Sequence, residues 1–401
     1  MSSRRVVSLA AFVLACTTAS CAAILGFERL SEDPGDGGLG DASSDGPPSD
    51  AGFDAPTGPC AELGVPLPPE DAGAGGASSP VLAALRLLDF GLDVDGGRPQ
   101  IPGFNLDLTC SVDIATSSCT TKLLPTTFET HARDKTATGV DNAGFSLIEY
   151  ISRFSDVLSA RGINQGIQDG KYGAVIRVDG WNGQDDDDSV QVELFPAIGV
   201  SSLDGGAKPA FDADDRWVLD SRFQVGGVLE ASTIKSDRAW ITASRMVARF
   251  KEIVLTVLID VDPKPFEIRV RDAVLTATLA KDGAGRPVLE QGVVAGRWKT
   301  SDFLGQVRTI FVEDSNGLTN TVLCDPVPGA TLIYNGVKSA ICDGRDIRAD
   351  SKDDGSEPCD AVSAAARIEA YSVSSLGTFA AAPDAGVRCV DAAIPAGDDC
   401  P

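Results

Sequence analysis

The sequence carries a single histidine, His131, and only two methionines in 401 residues. One histidine and no CxxC pair exclude zinc sites built on Cys/His spacing. A Ser-His-Asp site would have to use His131, which sits beside charged residues in Phe128-Glu129-Thr130-His131-Ala132-Arg133 and reads as an exposed side chain. No G-x-S-x-G elbow, HExxH or Walker loop is present. Gly166-Ile167-Gln168-Asp169-Gly170-Lys171 is one residue short between its glycines for a phosphate loop. Past the first residues no apolar run reaches the ~18 residues that mark a spanning helix. Basic character is also missing. Lys and Arg number 34 against 58 Asp and Glu, giving a net charge of -24. Nucleic acid is therefore excluded as a partner, because it needs a Lys/Arg surface facing phosphate. Charge-driven binding to anionic head groups is disfavoured for the same reason.

Cysteine, in contrast, is plentiful. Ten cysteines exceed what a reducing compartment explains when metal sites are absent. Two lie in the leader region; the other eight are Cys60, Cys110, Cys119, Cys324, Cys342, Cys359, Cys389 and Cys400. An even set in an exported chain argues for four disulfides among roughly a hundred connectivities. The expected pairs are Cys110 with Cys119, close in sequence and flanking SVDIATSS, and Cys342 with Cys359. The sequence gives no basis for choosing the rest.

The start of the chain accounts for the oxidising address. Arg4 and Arg5 precede an apolar stretch from Val6 to Ala15, which is far short of a membrane span. Thr17-Thr18-Ala19-Ser20-Cys21 then places small residues directly before a cysteine. This resembles the lipobox of bacterial lipoproteins, with Thr18 where leucine is usual. The resemblance implies a diacylglycerol on Cys21, a mature N-terminus there, and, because Ala22 is not aspartate, anchoring to the outer membrane. Cys16 is a competing site, and cleavage near Ala23 would give a freely secreted protein.

Composition then divides the chain. Residues 22–80 hold eleven Asp/Glu and one Arg. Segments such as GDGGLGDASSDGPPSDAGFDAP cannot supply a core, so residues 21–79 read as a lipidated N-terminus and an extended acidic linker. Cys60 is expected to staple the linker's end to the folded body. Residues 80–323 read as a β-rich body. Val190, Val192 and Leu194 alternate with polar neighbours, as do Phe266, Ile268 and Val270. Ile253, Leu255, Val257 and Ile259 suggest a central strand, and Ala273 to Leu279 another. Turn clusters at Asp204–Gly206 and Lys281–Gly285 separate such runs. Helical spacing marks residues ~143–161, a helix after a Ser301 cap, and a third helix around Leu332–Ile341. The expected architecture is mainly β: an antiparallel β-sandwich-like body, with a barrel as the alternative closure, and a few short helices. Residues 324–401 read as a disulfide-bonded, α-containing tail packed on that body.

At this point a resemblance is visible. CAAILGFERLSED, the Asp/Ala/Gly tether, IPGFNLDLTC, TGVDNAGF, VDGWNGQDDDDSVQV and PCDAVSAAARIEA look like features of uncharacterised lipoproteins from myxobacteria-like bacteria. The resemblance implies an exported β-rich body without an assigned activity, and it carries over no catalytic residues.

Two features carry candidate chemistry. Asn182-Gly183-Gln184-Asp185-Asp186-Asp187-Asp188 clusters carboxylates that would suit calcium, although the spacing is not that of an EF-hand; a solvated turn is the plainer reading. Asp93-Val94-Asp95-Gly96 starts like a calcium loop and then fails. Trp181 directly precedes the acidic loop and is the best placed of four tryptophans to stack on a sugar ring. The expected function is a tethered envelope or surface protein that binds a glycan or another envelope protein without catalysis. The alternative is an exported hydrolase that uses two carboxylates on polysaccharide.

Overall fold

The computed structural model describes residues 63–70, 79–91, 101–109, 118–120, 139–151, 159–201, 208–226, 231–258, 265–312, 321–351, 355–382 and 398–401. All of these belong to one compact unit, Asp54–Pro401. The leader with Cys21, most of the tether, the Asp93–Gly96 stretch, Cys110, His131 and the turn at Asp204–Gly206 lie outside the described residues.

The chain is mainly β, as its alternating patterns require. The strands are β1 (Val81–Asp89), β2 (Gly173–Asp179), β3 (Asp187–Val200), β4 (Trp217–Asp220), β5 (Arg238–Thr242), β6 (Arg245–Val257), β7 (Phe266–Lys281), β8 (Pro287–Lys299), β9 (Phe311–Val312), β10 (Thr321–Val322), β11 (Ala361–Ser372) and β12 (Thr378–Ala380). Four helices join them: α1 (Ala143–Ile151), α2 (Ala160–Gln168), α3 (Thr300–Val307) and α4 (Pro328–Asp343). Ten strands form one sheet in the order β12-β4-β3-β2-β1-β11-β8-β7-β6-β5, and β5 pairs again with β3. That last pairing joins one end of the sheet, β5, to its third strand, β3. The wall becomes a closed ring, with β4 and β12 as a flap outside it. Every neighbouring pair is antiparallel except β12 with β4. Closure removes the exposed edges that an open sheet must otherwise protect.

Alternation places Val190, Val192 and Leu194 of β3, Ala239 and Ile241 of β5, and Leu275, Ala277 and Leu279 of β7 in one apolar cluster inside the ring. The helices add to the same cluster through Leu147, Ile163, Ile167, Phe303, Leu304 and Ile341. Trp298 stacks on Phe303, with ring centroids 3.7 Å apart. Gly166 of α2 allows Tyr172 to lie against the helix; a Cβ there would come within 2.3 Å of the phenol, whose hydroxyl donates to the Ile163 carbonyl.

The flap has its own core. Trp217, Phe195, Leu219 and Leu376 pack on the outside of β2 and β3. The Trp217 indole donates to the Tyr371 hydroxyl, which in turn donates to Asp215. Burial, then the bond to Asp215, pushes the Tyr371 hydroxyl well above the usual range for tyrosine. Asp215 also accepts the Ala210 and Phe211 amides, so the acidic loop that carries Asp212, Asp214 and Asp215 is held as a structural turn.

Several expectations need correction. The segment read as a tail supplies β11, which lies in the wall between β1 and β8. The α3 helix begins at Thr300 after Lys299, so Ser301 is inside its first turn rather than capping it. The disulfides are Cys119–Cys359 and Cys342–Cys400, with Cα atoms 5.2 and 5.4 Å apart, and not Cys110–Cys119 or Cys342–Cys359. Proximity in sequence misleads because residue 120 bridges to residue 358 and delivers Cys359 beside Cys119. Cys342 ends α4, where the final residues of the chain return: Asp398 accepts from Tyr334 and Lys338 of that helix. Cys324 is also disulfide-bonded.

Candidate functional site: a groove on the barrel wall

The β5–β6 hairpin builds the site. Thr242 pairs with Arg245, leaving Ala243 and Ser244 as a two-residue turn with φ 48° and 63°. Both residues are left-handed, a conformation that such hairpins normally give to Asn-Gly. The turn fixes register, and register places Arg238 directly opposite Arg249. Ala239, Ile241, Met246, Ala248 and Phe250 join the interior cluster, whereas Trp240 and Val247 join a separate apolar cluster on the outer face. The two arginines therefore share the outward side with Trp240 and are exposed. Their Cζ atoms stand 5.4 and 5.8 Å from the Trp240 ring centroid. The indole is 2% exposed and donates to the Pro66 carbonyl, while Thr242 donates to that of Leu67. The end of the segment read as linker is thus laid on the wall beside the hairpin.

Two other elements complete a groove of about 440 Å³. Strand β7 carries a bulge between Arg271 and Val274, with Asp272 at φ 44°. The loop 101–109 is pinned by the buried Asp141 carboxylate, which accepts from Leu106 at 2.6 Å and Asp107 at 3.3 Å. It carries Leu106 and Leu108 to the groove's rim. Leu108 is left-handed, at φ 58°, and 46% exposed. Arg297, 2% exposed, donates to the Leu106 and Arg348 carbonyls and ties this loop to β8. The groove thus gathers three arginines, Asp237 and Asp272, and an apolar rim.

The residues singled out from the sequence lie elsewhere. Asp185 and Asp186 prop the hairpin turn: Asp186 accepts the Ala243 amide at 2.9 Å, and Asp185 accepts the Ser244 hydroxyl. The Asp185 carbonyl also accepts the Ser244 amide. Asp187 is fully buried and accepts the Asn182 and Ser189 amides at 2.8 and 2.9 Å. Asp188 is exposed and accepts only from its neighbour Ser189. This geometry lends the calcium alternative no support. The carboxylates accept from different backbone amides and serine hydroxyls, and among the described residues no group of three or more His, Cys, Asp or Glu could hold a metal ion. Trp181 is half-buried against the core, its indole donating to the Gln184 carbonyl, so it closes the loop instead of offering a flat platform. Trp217, Trp240 and Trp298 are buried and serve packing.

No protein family, curated protein or solved structure matches this chain. The site must therefore be read from its own chemistry. Sequence reasoning did not single out Arg238, Arg249 or Trp240. The usable signal was Arg-x-Trp before Thr-Ala-Ser-Arg and Ala-Arg-Phe after it, which opposes the arginines once the turn is placed.

Proposed function

We propose that this protein is an exported, non-enzymatic binding protein, lipid-anchored through Cys21 to the outer membrane, that presents a ligand groove on the outer wall of a small barrel. The observation that carries the reading is the opposed pair Arg238 and Arg249 beside a groove large enough for a small molecule. Support for the address is coarser. The disulfides indicate an oxidising compartment, and among the described residues no helix is long and apolar enough to cross a membrane.

The hydrolase reading keeps one observation in its favour: Asp237 and Asp272 both line the groove. One experiment separates the two. The purified chain is offered polysaccharides and their released sugars are measured, beside an Asp237→Asn/Asp272→Asn variant. No turnover by either protein supports binding. Turnover that the double variant loses would overturn it. Metabolic labelling with palmitate, lost in Cys21→Ser, tests the anchor independently.

A further inference from the structure

The geometry points to an organic anion as the ligand: a carboxylate or phosphate head on an apolar body, gripped by Arg238 and Arg249 with its body along Leu106 and Leu108. This rests on the reading of the groove as a binding site and adds the chemical class of what it binds.

Two like charges directly opposite on neighbouring strands repel, and sequences ordinarily avoid the arrangement or neutralise it. Here no direct partner neutralises it, although Asp237 and Asp272 line the same groove. Among the described residues neither guanidinium makes a hydrogen bond or an ion pair, although acidic side chains outnumber basic ones in the chain as a whole. The neighbouring acid does not serve them either, because the cation nearest Asp237 is Lys251, at 3.9 Å. Elsewhere on the wall the opposite holds. Arg222, Arg269 and Arg271 each meet a carboxylate within 2.9 Å.

What the pair does have is orientation. Each guanidinium lies over the same indole, so its cationic face is held while its N–H edge remains available to a planar two-oxygen acceptor. The apolar half of the ligand follows from the rim. Leu108 is a large apolar side chain left in solvent on a left-handed backbone. Asp272, on the opposite side, is left-handed as well. Such backbone persists only where surrounding structure imposes it, and it collects at ligand sites. Leu106 continues the apolar surface inward. A fatty carboxylate and an alkyl phosphate from a lipid share this chemistry, and so the test must tell them apart.

The purified full chain is titrated with octanoate, octyl phosphate, inorganic phosphate and uncharged octyl glucoside, with binding read by calorimetry and by tryptophan fluorescence. At least one of the two amphiphilic anions is expected to bind, and their ratio identifies the head group. Octyl glucoside and inorganic phosphate are expected to bind at least about tenfold more weakly. Arg249→Met should weaken the anion by about tenfold or more, the scale of a lost charge-assisted contact. Arg249→Lys should recover only part, since it restores charge without the fork. Both positions are exposed, and a melting midpoint no lower than that of the parent protein confirms folding. Equal binding of octyl glucoside, no binding of either amphiphile, or indifference to Arg249→Met would each overturn the anion assignment. Octyl glucoside bound in the groove would do so while leaving the binding reading intact, whereas turnover of polysaccharide would remove that reading itself.

Discussion

The two ends of the short strand β5 treat charge in opposite ways. At its C-terminal end the acidic run Asp185–Asp187 is engaged: Asp185 and Asp186 hold the hairpin turn, and Asp187 holds the Asn182 and Ser189 amides of its own loop, at the point where β3 meets β5 and the ring closes. At its N-terminal end Arg238 and Arg249 face one another with no acid committed to them. The conspicuous charge is used for structure, and the inconspicuous charge is left over. A run of four aspartates draws the eye toward metal, yet a carboxylate already accepting two amides has little left to offer an ion. Two arginines remote from any motif become notable only once pairing puts them side by side.

This contrast can be tested from both ends. The largest effect is expected at the acidic one. Asp187→Ala removes a buried acceptor from two part-buried amides and should cost about 1–2 kcal/mol in urea unfolding; a loss near zero would mean the carboxylate does not hold the loop. Next is the turn. Replacing Ala243-Ser244 by Asn-Gly relieves two left-handed residues and should add roughly 1 kcal/mol by the same measurement, despite losing the Ser244 hydroxyl. At the basic end the sign reverses. Removing one of two opposed charges, Arg249→Met, should stabilise the free protein by about 0.5 kcal/mol, so that a clear loss would reveal a structural partner and dissolve the distinction. The smallest effect is none at all. Calcium and a chelator should leave the melting midpoint unchanged, and a calcium-dependent rise would return the aspartates to ligand duty.

How much of this was legible beforehand depends on how far each residue's environment lies along the chain. Strands with one apolar face, such as Val190–Phe195 and Phe266–Arg271, announce themselves because period two needs no knowledge of partners. The bulge within β7, between Arg271 and Val274, did not. β11 was hidden for a different reason. Ala-Val-Ser-Ala-Ala-Ala-Arg-Ile-Glu-Ala has the composition of a helix, but here alanine suits the small interior space between β1 and β8, and tertiary context overrides propensity. The α2 helix escaped because Gly162 and Gly166 weaken its signature, although Gly166 is there to admit Tyr172. The groove was illegible because its register hangs on an Ala-Ser turn lacking the residues that normally advertise one. The cysteine pairs followed bridges between distant segments that no spacing rule contains.

The position of β11 has a kinetic consequence. Its neighbours in the wall, β1 and β8, are made long before it, and the polypeptide that has emerged up to Lys299 holds two strands with nothing between them. The cylinder can be completed only after Ser372 has emerged, so assembly waits for nearly the whole chain. A polypeptide that must cross a membrane unfolded gains from such a delay. One truncated before that strand would keep two open flanks, each a template for stray pairing with another copy.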